Sequence, residues 1–197
     1  MDMNYLQQDP RVAREMISLL ERQLVEIRTA AEANPNDYNV YAKWGELLLE
    51  LSMFKNGDEA TQILSQCINK LEKSLSIFPD NPHPMIVLAS ALNARAFLQH
   101  DTQVALSLFD RSKKNFERAL ELDPTNDKCR QLLEAMENAP ELHQRVVAQL
   151  QAEGQYSNKS APTAGNDEWF YDALGWGILI FGGISVLAIL NMKQSAA

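Results

Sequence analysis

The stretch NPNDYNVYAKWGELLLELS, Asn34 to Ser52, decides how this chain folds. It opens on Asn34-Pro35-Asn36-Asp37, residues that stop one helix and cap the next, and runs on into an uninterrupted helix-forming segment. The break recurs. Pro35 stands in ANPND, Pro79 in FPDNP and Pro124 in DPTND, at spacings of 44 and 45 residues. A period of that size, with apolar residues at helical steps between the breaks, signals stacked helical hairpins.

The filling between the breaks has a pattern of its own. Tyr41, Trp44, Gly45 and Leu48 stand at the spacing of the first helix of a tetratricopeptide repeat, and Cys67, Leu71, Ser74 and Pro79 at that of its second. One period later the two sets are Met85, Leu88, Ala89 and Leu92, then Ser112, Phe116, Ala119 and Pro124. Small residues (Gly45, Ala89, Ala119) let helices approach, and the large ones fill between them. Each unit exceeds the usual repeat of about 34 residues by roughly ten. Apolar periodicity continues almost to Phe54 and Leu98, so the excess predicts elongated helices and not long loops. HEAT-type repeats share the period, but the proline spacing and the ERALELDP ending favour the tetratricopeptide pattern.

Outward from this centre, Val12, Met16, Leu19, Leu20, Leu24 and Ile27 recur at three- and four-residue steps and predict an amphipathic helix over 10–33. A shorter third unit follows Pro124, with helices expected over 127–138 and from 140 to about 152. The fold class expected is therefore all-α: tetratricopeptide-like hairpins with elongated helices, about seven helices in residues 1–153. Residues 154–172 are rich in Ser, Asn, Thr and Gly, without apolar periodicity, and read as a tether.

Residues 173–192 are different in kind. Ala173 to Met192, ALGWGILIFGGISVLAILNM, carry no charge. A helix of that length spans roughly 30 Å, the hydrocarbon thickness of a bilayer, and only a helix crosses as a single segment. With 193–197 after it, the expected arrangement is a single-pass tail anchor behind a cytosolic head. Gly175, Gly182 and Gly183 share one face, where small residues admit a neighbouring helix.

Charge narrows the partners. All 26 acidic residues precede Ala173, as do 17 of the 18 basic ones, which leaves that part at −9. Nucleic acid, which needs a basic face, is excluded; a basic partner is not. Cys67 and Cys129 are isolated thiols without metal or redox spacing and read as core residues. His83, His100 and His143 lie far apart in sequence. No catalytic constellation, phosphate loop or metal motif is present, so no enzyme activity, cofactor or metal is expected.

The inner face of the repeats is the informative surface. In such hairpins the first helix of each pair lines a concave groove. Its inward positions are Ala42, Glu46, Leu49, Glu50 and Met53 in the first unit and Ile86, Ser90, Asn93 and Ala94 in the second, with Gln131 and Ala135 in the third. A partly apolar groove with two carboxylates suits an amphipathic helix with basic flanks. It would repel the C-terminal carboxylates that chaperone-binding tetratricopeptide domains clamp.

Several segments together resemble one family. Asn34 to Ser52, ARAFL at Ala94 to Leu98, EAMENAPELH at Glu134 to His143 and YDALGWGIL at Tyr171 to Leu179 are similar, in this order, to the plant-type twenty-kilodalton receptor of the translocase of the outer mitochondrial membrane. The resemblance implies a receptor that binds amphipathic, Arg-rich presequences of mitochondrial precursors and hands them to the import pore without a covalent step. It implies other translocase subunits and membrane lipid as further partners, and a place in the outer membrane with the head in the cytosol. The chain departs from the family before the anchor: Asp167, Glu168 and Asp172 flank it where the family carries lysine. The alternative is a tail-anchored scaffold, such as an organelle-fission adaptor, that recruits folded proteins. A membrane-bound co-chaperone is disfavoured by the acidic groove.

Overall fold

The computed structural model describes residues 10–152, and every regular element among them is a helix. In chain order they are α1 (Pro10–Ala33), α2 (Tyr38–Ser52), α3 (Gly57–Ile77), α4 (Pro82–Phe97), α5 (Thr102–Leu122), α6 (Asp127–Met136) and α7 (Ala139–Ala152). The tether expected over 154–172, the anchor over 173–192 and the last residues 193–197 lie outside the described residues. Among the described residues no helix is long and apolar enough to cross a membrane.

Each proline-centred break ends one helix and starts another for local reasons. Asp37, Asn81 and Asn126 take extended or near-extended backbone and accept hydrogen bonds from Asn39 N, His83 N and Cys129 N, which satisfies donors the first helical turn leaves open. Asp101 does the same for Gln103 N and Val104 N at the start of α5. Between α2 and α3 the turn relies on Gly57, whose φ of 56° lies in the left-handed region.

The pairs α2–α3 and α4–α5 form the two hairpins, and α3 packs on α4 to stack them. The extra length of each unit falls mainly in its second helix: α3 and α5 have 21 residues each, joined to their partners by short turns. Closest approach within the first hairpin is at Gly45. A Cβ there would stand 2.4 Å from Leu71 Cγ, so only glycine lets the helices meet. The repeat also recurs in hydrogen bonds. Cys67 Sγ donates to Gly45 O at 3.2 Å, and one unit later Ser112 Oγ donates to Ala89 O at 2.7 Å. One core runs through both hairpins and into α6 and α7, from Leu48 and Leu71 past Leu92, Phe97 and Phe116 to Leu132 and Met136. A second, smaller cluster seats α1 on α2, with Leu20 against Leu47 and Leu51.

Candidate functional site

Helices α2 and α4, the first of each hairpin, lie against one another. The structure takes most of their expected inward positions off the surface. Ala42, Glu46 and Leu49 on α2 and Ile86, Ser90 and Asn93 on α4 are buried; Glu50, Met53 and Ala94 are half-buried. α6 packs mainly against α5, and its Gln131 is exposed while Ala135 is half-buried. Glu50, Met53 and Ala94 are thus the half-buried edge of the expected set, and the six buried positions are its floor.

The floor holds a charged cross-link. Glu46 is 5% exposed, yet its carboxylate has two nitrogen partners. Its Oε1 lies 2.5 Å from His83 Nε2, and its Oε2 accepts from Lys43 Nζ at 3.1 Å. Burial alone would raise the Glu46 pKa and is the largest influence on it. The hydrogen bond and charge of His83, with those of Lys43, outweigh it, and the net shift is downward. Glu46 is thus an ionised carboxylate whose partners are supplied within the fold. His83 is delivered by the first turn of α4, 37 residues away, where Asn81 caps its backbone N–H. Nothing in the sequence pattern singles out His83, because the contact crosses from one repeat to the next.

Other polar groups of the floor are also committed. Ser90 Oγ donates to Ile86 O at 2.9 Å and Ser52 Oγ to Leu49 O at 2.6 Å. Asn93 Oδ1 is the exception, buried without a hydrogen-bond partner. His143 is buried against Phe97 and Phe109, with Nε2 2.8 Å from Gln99 O, and fastens α7 to the end of α4. Burial depresses its pKa, only partly offset by that carbonyl. Cys67 and Cys129 are buried free thiols. Among the described residues no three His, Cys, Asp or Glu side chains are grouped to hold a metal. Gly175, Gly182 and Gly183 lie outside the described residues.

Comparison with known proteins extends across both the described helices and the sequence beyond them. The family model described as plant specific mitochondrial import receptor subunit TOM20 matches residues 15–194. Mitochondrial import receptor subunit TOM20-2 of Arabidopsis thaliana is 34% identical over 178 residues, covering 82% of this chain and 83% of its own. TOM20-3 of the same plant is 28% identical over 186 residues, covering 90% and 92%. TOM20-4 is 31% identical over 170 residues, covering 84% and 88%. These relatives are named as receptor subunits and not as enzymes, which agrees with a sequence that carries no catalytic constellation.

Proposed function

Because the chain belongs to the plant-specific TOM20 family of mitochondrial import receptor subunits, we propose that it binds amphipathic presequences of precursor proteins along α2 and α4 and hands them to the import pore. The observation that carries the site is the half-buried edge of Glu50, Met53 and Ala94 beside an apolar floor that includes Leu49 and Ile86. Met53 is an adaptable apolar contact for ligand helices of varied sequence. Glu50 faces their basic flanks. Glu46, already paired with His83 and Lys43, holds α2 to α4 and gives the floor its polarity. A ligand helix rests on the edge and gains the floor only as the helices part, which keeps binding weak and release fast. In this reading residues 173–192 anchor the protein in the outer mitochondrial membrane by a single pass. The head, 1–153, faces the cytosol, and the Gly175, Gly182 and Gly183 face packs on a membrane subunit of the complex.

The test is a titration of the full chain with a basic amphipathic peptide, comparing wild type with Glu50→Lys and Ala94→Arg. Each variant should weaken binding about tenfold, or near 1.4 kcal/mol, with the helical circular dichroism unchanged. Undiminished binding in both would move the site away from α2 and α4.

A further inference from the structure

The outer side of the first hairpin carries a feature opposite in charge to the groove. Helix α2 runs there past α3 and the residue that ends it, in three rungs. Tyr38 meets Phe78 with ring centroids 5.0 Å apart. Lys73 Nζ stands 5.9 Å from the centre of the Tyr41 ring, and Lys70 Nζ stands 3.8 Å from that of Trp44. Tyr41 and Trp44 are themselves stacked, 12° from parallel. Lys73 is exposed, Lys70 and the three α2 aromatics are half-buried, and Phe78 is 44% exposed, among the most exposed large apolar residues of those described.

These two lysines differ from several other cations of the described residues. Lys43, Lys55, Arg111, Lys114, Arg118 and Arg130 each hold a carboxylate. Lys70 and Lys73 make cation–π contacts, and no carboxylate of the described residues lies within 4.0 Å of either. A ring face orients an ammonium without cancelling its charge, so its outward N–H groups keep their pull on an anion. Acids are few in the segments that carry the strip. Between Tyr38 and Gly45 the only charged residue is Lys43, and between Gln66 and Ile77 the only acid is Glu72, which is taken by Arg111 on α5. Of the acids that flank the strip, Glu46 is held by Lys43 and His83 and Asp80 by Arg118, and Asp37 caps α2.

We propose that the Lys70–Lys73 strip is a docking site for an acidic segment of another protein, with carboxylates spaced to meet the two ammonium groups and an apolar side chain to cover Phe78 and Tyr38. The site is separate from the groove and takes a ligand of opposite charge. One receptor can then hold a basic and an acidic partner at once.

The experiment is an isothermal titration of the full chain, in zwitterionic nanodiscs, with the peptide acetyl-Asp-Glu-Phe-Asp-Glu-Leu-amide. Its isostere acetyl-Asn-Gln-Phe-Asn-Gln-Leu-amide is the control. The acidic peptide should bind and the isostere should not. Lys70→Gln with Lys73→Gln should weaken binding by roughly fivefold to tenfold, and Lys70→Arg with Lys73→Arg should restore it. Binding of a basic amphipathic peptide by the Gln pair should be unchanged, which separates this strip from the groove. Equal binding of both acidic and amide peptides, or of wild type and the Gln pair, overturns the proposal. So does binding of short-chain phosphatidylserine without binding of the acidic peptide, which would assign the strip to lipid.

Discussion

Leu71 fills the space that a side chain on Gly45 would need: a Cβ on Gly45 falls 2.4 Å from Leu71 Cγ and 2.6 Å from Cδ2. Leu71 is fully buried in the core, so it has little room to retreat. Gly45→Ala should therefore destabilise the fold by about 1–3 kcal/mol, against the usual gain of alanine over glycine inside a helix. Urea denaturation of the two proteins checks it. A Gly45→Ala protein as stable as wild type would mean that α2 and α3 can separate at no cost.

Glu46 gives the fold an acid-sensitive element. Its folded-state pKa is lowered below the ordinary 4.5, since His83 and Lys43 outweigh the effect of burial. A carboxylate of that kind contributes stability that is complete above its unfolded pKa and is lost as pH falls through the folded one. Denaturation midpoints of wild type should therefore drop between about pH 5 and pH 3 more steeply than those of Glu46→Gln. At pH 7 Glu46→Gln should be the less stable protein, by about 1–3 kcal/mol, through loss of its charged hydrogen bonds. Parallel pH profiles would remove the Glu46–His83 link as a stabilising contact.

His143 should act in a higher window. Its imidazole is depressed below the ordinary 6.5 by burial beside Phe97 and Phe109. The unfolded chain takes the proton first, so the His143 contribution is complete above 6.5 and falls as pH drops from there towards the folded value. Amide hydrogen exchange in α7 should speed up between about pH 7 and pH 5, after correction for intrinsic rates, while α2 and α3 stay protected. His143→Phe should flatten that response. Uniform protection of α7 across the window would contradict it.

The helical plan was legible because its signals are local. Pro35, Pro79 and Pro124 with the capping residues Asp37, Asn81 and Asn126 mark where helices begin, and the apolar steps from Val12 to Ile27 mark α1. Elongated helices were expected from apolar residues that continue to Phe54 and Leu98, but those residues lie just past the ends of α2 and α4, and the added length sits instead in α3 and α5, 21 residues each. The site was legible only as a set of inward positions. That Glu46 would find His83, 37 residues away in the next repeat, depends on how one hairpin sits on another. Burial of Leu49, Ile86 and Ser90 likewise depends on the packing around α2 and α4 and is invisible to periodicity, which gives a direction and not a depth. The lysine–aromatic rungs escaped for the same reason: Lys70 and Trp44 look like an ordinary surface cation and an ordinary repeat residue until α2 and α3 are set side by side.

The two thiols should be inert in the folded protein. Burial pushes the Cys67 thiol far above its usual range and that of Cys129 up to about 11, so neither offers thiolate near neutrality. A thiol reagent at about pH 8 should label neither cysteine until denaturant is added, and then both. Cys67→Ser should keep the fold, because Ser112 makes the equivalent hydrogen bond to Ala89 O one repeat on. Labelling of Cys67 in the native protein would mean that the first hairpin opens readily.

The most direct measurement is a titration of the full chain in detergent micelles with two peptides of identical composition. One is a basic amphipathic helix of the presequence kind, and the other is its scrambled isomer with no apolar face. A receptor that reads amphipathicity along α2 and α4 should bind the first at least about tenfold more tightly, a margin of 1.4 kcal/mol, and keep that margin at high salt. Equal affinity for both peptides, vanishing as salt rises, would show attraction to net negative charge alone and would contradict a groove.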